Sequence, residues 1–392
     1  MLLTFIPYFV DEEGSIWLDR LWQHDLQAHF EYLHNLVLAA PRGQWPTSAT
    51  TRDLVKLVVP SHATLSTVQL PPQSSTLQSL LRLPQTAWRL WRAIGRVTYV
   101  HSGVAGWPYP LGWVANPIAL VRGKKLITVV ESAPWRLQGD NAPLRDRLRA
   151  SVTEFLARYF VSRADLRLFT QAAYERTLSN NNPRGPGFVT PASWINEEDI
   201  LTPDQTDADW AKKTKEQPIR LLFPTRLQES KGVNVLLDAI SNFDIPNVAI
   251  DIIGQGPLRE KCEDYARKHS LLSVMTPVPY GEEFFDLLRR YHAVLVPSVS
   301  DEQPRILFDS FARAVPIIGS ATDGIAPHVT DNRTGWLAAP GDVDQLRELI
   351  QRAAETPEHL HRMGLNARES AYEFTHHAMH VERSRIFAEH LL

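Results

Sequence analysis

From residue 219 to residue 342, short apolar runs alternate with longer segments of helical period, and each run ends in a turn-rich stretch. The runs are 220–223, 248–253, 274–277, 293–296 and 316–319. The spacing predicts helices over 233–240, 258–269, 282–291 and 306–314, then 343–354 and 357–370. Apolar runs this short, without polar alternation, suit strands buried on both faces and joined by crossover helices. That restricts this half to an α/β architecture with a parallel sheet.

The first half shows the same alternation more weakly. Strands are expected at 3–10, 35–39, 53–59, 97–100, 126–130 and 166–170, with helices over 15–32 and 151–162. Eight of the eleven tryptophans fall before residue 140, so the halves differ in character. Residues 183–209 are rich in Pro, Gly, Asn and acids and read as an interdomain linker. The expected domains are therefore 1–195 and 196–371. Residues 372–392 read as a closing helix or helix pair that rejoins the first domain. A chain of 392 residues can bury two such cores. No internal repeat stands out.

Composition excludes several classes. The net charge of −3 argues against a general nucleic-acid binder. Cys262 is the only cysteine, so there is neither an intrachain disulfide nor a thiolate zinc cluster, and a cytoplasmic location is expected. Residues 1–10 are apolar but short and lack a basic flank, which suits a strand better than a signal peptide. Residues 97–121 contain no Asp, Glu, Lys or Arg, yet three prolines and three glycines break them. They read as a strand followed by a Gly/Pro loop rather than a membrane span.

Several loops carry chemistry. Arg226 and Lys231 sit five apart in the turn between a strand and a helix, with Ser230 as a candidate cap. A helix N-terminus joined by a guanidinium and an ammonium suits a pyrophosphate; a solvated surface turn is the plainer account. Asp301 and Asp309, eight positions apart, flank the start of a later helix. A carboxylate there can accept paired bonds from vicinal ribose hydroxyls, or simply complement the helix dipole. Glu302 competes with Asp301 for the upstream role. Gly254 and Gly256 end a strand in Gly-x-Gly, which would let backbone approach a ligand. His101 and Glu131 follow candidate strands in the first half and could orient an acceptor, or could be structural. Residues 80–97, from Leu80 to Val97, interleave Arg82, Arg89, Arg92 and Arg96 with Trp88 and Trp91. That pattern fits either a core-packed helix with a basic face or a helix lying in a membrane interface.

The order Arg226…Lys231-Gly232, Gly254-x-Gly256-Pro257, Pro297-Ser298, the spaced acids, Pro316-Ile317-Ile318-Gly319 and Thr334-Gly335 resembles the donor half of retaining GT-B glycosyltransferases. The match is to the family 4 group, the glycosyl transferases group 1, over residues 219 to about 370. The resemblance implies two Rossmann-like domains facing a central cleft. It also implies transfer of a hexose-type sugar from a nucleotide donor, such as a UDP- or GDP-sugar, to a glycan or lipid-linked acceptor with retention, as in polysaccharide biosynthesis. Arg226 and Lys231 would neutralise the leaving diphosphate in place of a metal, and no cofactor is implied. Asp309 would hold the donor ribose and Asp301 would face the sugar, with Glu302, Gln303, Pro304, Arg305 and Ile306 lining the donor. Gly14 and Ser15 would face the donor phosphates, and Glu131 stands where relatives often carry a histidine. A contact of residues 80–97 with the inner membrane face fits a lipid-linked acceptor.

The sequence departs from the family at the acid pair, which is Asp rather than Glu. Gln303-Pro304-Arg305 replaces a glycine-rich segment, and Pro327-His328 replaces a glutamate. Two alternatives stay open: a nucleotide-sugar epimerase, and a catalytically weak glycan-binding or scaffold protein of the same fold.

Overall fold

The structure is a computed structural model that describes residues 1–45, 54–73, 75–136, 143–213, 218–241, 246–300 and 302–391. The chain forms two compact units, Met1–Pro191 with Met379–Leu392, and Ala192–Ala378.

The strands in chain order are β1 (Leu2–Leu3), β2 (Phe9–Val10), β3 (Ile16–Asp19), β4 (Asn35–Pro41), β5 (Leu54–Lys56), β6 (Thr64–Leu70), β7 (Tyr99–Gly103), β8 (Lys125–Val130), β9 (Leu166–Phe169) and β10 (Gly187–Val189) in the first unit. The second unit holds β11 (Ile219–Pro224), β12 (Val248–Ile253), β13 (Leu272–Met275), β14 (Ala293–Val296), β15 (Ile317–Ser320) and β16 (Gly335–Ala338).

The second unit is a parallel sheet ordered β13-β12-β11-β14-β15-β16. Its central strands are buried on both faces, as their largely apolar runs require, with Arg220 of β11 and Asp251 of β12 paired at 2.7 Å. Leu221, Phe223, Ile250, Ile252 and Leu295 enter one apolar cluster, while Leu222, Ile253, Val294 and Val296 enter another. Alternate residues thus feed the two helical layers that cover the sheet. β16 has no counterpart among the strands expected from sequence; it pairs as an edge strand with β15, and its own Trp336 is fully buried.

The first unit holds a seven-stranded sheet, β10-β9-β8-β7-β1-β4-β6, with every pair parallel, and a small antiparallel sheet, β2-β3-β5. The small sheet corrects the expectation of one strand over 3–10. Pro7 interrupts that run, and Asp11 then builds a hairpin: its carboxylate accepts from Ser15 N–H at 2.7 Å and from Trp17 Nε1 at 2.7 Å. The expected helix over 15–32 shortens to Arg20–His29 for the same reason. β6 escaped the sequence reading because it is a half-exposed edge strand with polar residues between its apolar ones. The supposed linker 183–209 supplies β10 and the start of the helix Pro203–Lys213.

The Gly/Pro segment after β7 is also more ordered than expected. Residues Gly112–Val121 form a helix with Pro117 inside it. Proline costs that helix one hydrogen bond. Burial of Ala115 and Ala119, and a bond of 2.6 Å from Ser102 Oγ to the buried Asn116 Oδ1, hold it in place. From Met379 onward the closing helix packs Ile386 and Phe387 against Ile127, Leu166 and Leu168 of the first sheet. Among the described residues no helix is long and apolar enough to cross a membrane.

Candidate active site

In the second sheet β11 and β14 are neighbours, and the strand order reverses between them. Open α/β sheets bind ligands outside the carboxyl ends of strands at such a switch point. The turn leaving β11 carries Arg226 and Lys231, and the loop leaving β14 carries residues 297–305. The topology therefore brings together groups some seventy positions apart. Lys231 Nζ donates to Glu302 Oε2 at 2.8 Å, and Arg226 Nη2 lies 3.5 Å from the same oxygen. Lys231 is buried, whereas Arg226 is largely exposed.

Backbone geometry fixes this approach. Gly232 adopts φ 77°, and a Cβ there would lie 1.8 Å from the Pro297 carbonyl oxygen. Only glycine admits both the left-handed conformation and that contact. Val299 and Ser300 N–H donate to the Ser230 carbonyl at 3.1 and 3.3 Å, which zips the two loops together. Ser230 is not the helix cap expected from sequence. The helix Val233–Ile240 starts at Gly232 without a side-chain cap, and Gln228 Nε2 donates to Ser230 Oγ at 2.8 Å.

Gly254 and Gly256 also have a packing role that the sequence did not show. Cβ atoms there would lie 1.7 Å from Thr225 O and 2.4 Å from Leu227 O. Leu227 N–H donates to Gln255 O at 2.8 Å, and Leu258 N–H to Leu227 O at 3.0 Å. The space beside these glycines is filled by the turn that bears Arg226, so they position that turn.

Asp309 lies in the helix Ile306–Ala312 and is buried. Tyr280 Oη donates to its Oδ1 at 2.9 Å. Burial pushes the Asp309 carboxyl up to about 7, against the lowering effect of the tyrosine bond. Burial, and then the Asp309 charge, raise the Tyr280 hydroxyl far above the usual range. The sequence reading missed Tyr280; its signal was an aromatic beside Gly281 in the segment after β13. It also missed Ser300 and Thr322, whose buried hydroxyls have no hydrogen-bond partner and which follow β14 and β15.

Asp301 lies outside the described residues. Gln303 is tied to the segment before the second unit's first helix: its amide oxygen accepts from Ala192 N–H at 3.0 Å and its amide nitrogen donates to Ala192 O at 2.9 Å. It fastens the loop. The Pro304 and Arg305 carbonyls accept from Leu307, Phe308 and Asp309 N–H and so start the helix, and Ile306 is its first residue. The Arg305 guanidinium stands 5.6 Å from the Trp194 ring centroid. His328 stands edge-on to the stacked rings of Phe308 and Phe374, and burial lowers it to about 4, so it is a neutral ring.

In the first unit Gly14, at φ 84°, and Ser15 form the β2–β3 hairpin turn instead of following a strand of the parallel sheet. His101 lies within β7, not after it. Its ring faces His29 and Phe387, neither ring nitrogen has a hydrogen-bond partner, and burial holds it well below the usual imidazole range. A neutral core histidine is the physical description. Glu131 follows β8, exposed at the carboxyl edge of the sheet, and its carbonyl accepts from Thr170 Oγ1 at 3.2 Å.

Residues 204–370 match the family model of glycosyl transferases group 1. That segment is similar to the group 1 domain, and the match covers less than half of the chain. Its boundaries enclose β11 through β16 and all of the Arg226, Lys231, Glu302 and Asp309 geometry. The chain is similar to a glycogen synthase of Mycobacterium tuberculosis, 27% identical over 41% of this chain and 39% of that protein, so the match spans about two fifths of that relative. It is also similar to a D-inositol 3-phosphate glycosyltransferase of Kribbella flavida, 26% identical over 79% of this chain and 74% of the relative. Among solved structures, Anabaena HepE in complex with UDP-glucose superposes with a TM-score of 0.66 at 12% identity, covering 100% of this chain and 99% of that one. The fold is GT-B, and the segment similar to the group 1 domain lies in its second unit.

Proposed function

We propose that this protein is a glycosyltransferase that moves a sugar from a nucleoside diphosphate donor to a hydroxyl acceptor. The observation that carries the reading is the convergence of Lys231 and Arg226 on one carboxylate oxygen at the switch point of the second sheet. Two fixed cations beside the carboxyl ends of β11 and β14 would stabilise the negative charge that develops on a departing diphosphate. Lys231 would meet the inner phosphate oxygens as a compact, buried ammonium. Arg226, longer and exposed, would fork onto the outer ones. The same electrostatics would make a metal unnecessary.

Asp309 is the candidate ribose ligand. Ionised, it is acceptor-only and can take both vicinal hydroxyls, for which it would exchange the Tyr280 bond. A glycan or lipid-linked acceptor, a hexose-type sugar and retention of configuration follow from the family resemblance and are part of the proposal. HepE, whose complex contains UDP-glucose, supports a nucleotide-sugar donor by likeness of fold.

The test is calorimetric titration with UDP, GDP and ADP. Micromolar binding of one of them is expected, weakened at least tenfold, or about 1.4 kcal/mol, by Arg226→Ala and by Lys231→Ala. The contact of Glu302 with both cations favours a second reading, a weakly catalytic binder whose phosphate site is permanently neutralised. That protein would bind none of the three nucleotides.

A further inference from the structure

We infer that the first unit docks on an anionic lipid bilayer through the helices Thr76–Leu81 and Leu83–Ile94 and the loop at Trp107. The inference rests on this unit's own surface and is independent of the donor reading. On the helix Leu83–Ile94 the core side is Thr86, Leu90 and Ile94. The opposite stripe carries Trp88 at 57% exposure and Trp91 at 45%, continued backward by Leu81 at 73%. An amphipathic helix normally turns its largest apolar side chains inward. Here the two tryptophans face out, flanked by the exposed Arg92 and Arg96.

Cations orient both indoles. The Arg92 guanidinium stands 4.9 Å from the Trp88 ring centroid, and that of Arg122 stands 4.6 Å from Trp91. An indole held beside a guanidinium matches the headgroup layer, where an apolar ring and a cation are satisfied at one depth. The surface continues past this helix. Tyr109 Oη donates to Ser79 O at 3.4 Å, and Arg149 Nη2 donates to Pro108 O at 3.0 Å. These bonds join the first helix and the helix Leu144–Arg163 to a loop that exposes Trp107, and Leu148 is exposed one turn before Val152 on that last helix.

Charge decides the occupant. From Leu54 to Val130 the sequence holds eight Lys and Arg and no Asp or Glu, although the whole chain is net −3. A second protein chain would be expected to meet mixed charge with mixed charge. The two helices and the Trp107 loop, residues 76–111, carry tryptophan and arginine and no acid, which complements anionic headgroups even though Asp146 stands on the neighbouring helix, and each cation near such a surface adds to the attraction.

The experiment is co-sedimentation of the full chain with phosphatidylcholine vesicles, with or without about 30% phosphatidylglycerol. The expected result is binding to the anionic vesicles that weakens in about 0.5 M salt. Partitioning should fall at least tenfold in Trp88→Ser/Trp91→Ser. In Arg92→Glu/Arg96→Glu it should fall to the level seen on neutral vesicles. The charge variant changes only exposed positions, so it tests the surface even where the tryptophan variant folds poorly; circular dichroism and nucleotide titration check both. The inference is overturned by wild-type protein that ignores anionic vesicles, or by both variants binding as well as wild type does. It is also overturned by a lipid-free dimer, seen in sedimentation velocity, that Trp88→Ser/Trp91→Ser disperses, because the stripe would then be an interface between copies.

Discussion

Glu302 Oε2 accepts a hydrogen bond of 2.8 Å from Lys231 Nζ and lies 3.5 Å from Arg226 Nη2, so one internal carboxylate sits where the two cations converge. The pair joins the loops leaving β11 and β14. On the proposed reading an incoming diphosphate would displace that carboxylate, and the exchange would link folding to binding.

Glu302→Gln removes the competing charge and keeps the shape. Nucleoside diphosphate affinity is expected to rise roughly tenfold, while stability falls by about 1–2 kcal/mol because Lys231 loses its counter-charge. Calorimetry and denaturant unfolding of the same preparation read the two effects. A variant that binds more weakly would falsify the displacement account.

Lys231→Ala should separate activity from stability. The loss of a cation that meets the leaving group is expected to lower kcat/KM by at least about 100-fold. Glu302 is partly exposed and keeps Arg226 nearby, so unfolding free energy should change by less than about 1 kcal/mol. A matched loss in both would assign Lys231 a structural role only.

Asp309 predicts a pH dependence. Burial raises its folded-state value to about 7 from 3.8, so the folded state holds the proton more tightly than the unfolded chain. Its contribution is complete below the unfolded value and is lost as pH rises from about 4 through about 7, a change of about 4 kcal/mol when fully expressed. Asp309→Asn should flatten that part of the stability profile. An unchanged slope between pH 4 and 7 would place the titration elsewhere.

Tyr280→Phe removes the hydroxyl that favours ionised Asp309. The stability decline should begin at the same pH but extend to higher pH in this variant, because only the folded-state value rises. If Asp309 takes the donor ribose, the pH at which nucleotide binding is half-maximal should move the same way. Binding profiles of wild type and variant that superimpose would show that Asp309 ionisation does not control the site.

Gly232→Ala combines a positive φ with a Cβ overlapping the Pro297 carbonyl. A destabilisation of about 2–4 kcal/mol is expected in chemical denaturation, together with weaker nucleotide binding. Near-wild-type stability would mean that the two loops are not held as closely as this contact requires.

The central strands of the second sheet were legible in the sequence because a strand buried on both faces is mostly apolar, as β11, β12 and β14 are; the polar exceptions Arg220 of β11 and Asp251 of β12 pair with each other at 2.7 Å. Arg226 and Lys231 were legible as cations in a turn before a helix. Strands at sheet edges were not: β6, β10 and β16 carry weaker or interrupted patterns, since an edge is covered less and relies on one neighbour. The helix Gly112–Val121 was hidden by Pro117, whose local cost is overridden by packing against β7 and the helix Leu83–Ile94. The pairing of Lys231 with Glu302 lay beyond any local pattern, because it depends on the reversal of strand order between β11 and β14. The sequence by itself determined which segments alternate as strand and helix and which turns carry charge, because burial and helical period act within a few residues. Only the tertiary structure decided that Gly254 and Gly256 seat the Arg226 turn, that Asp309 is buried against Tyr280, and that Glu302 meets both cations. Those outcomes follow from distances between segments that the order of strands in the sheet brings together.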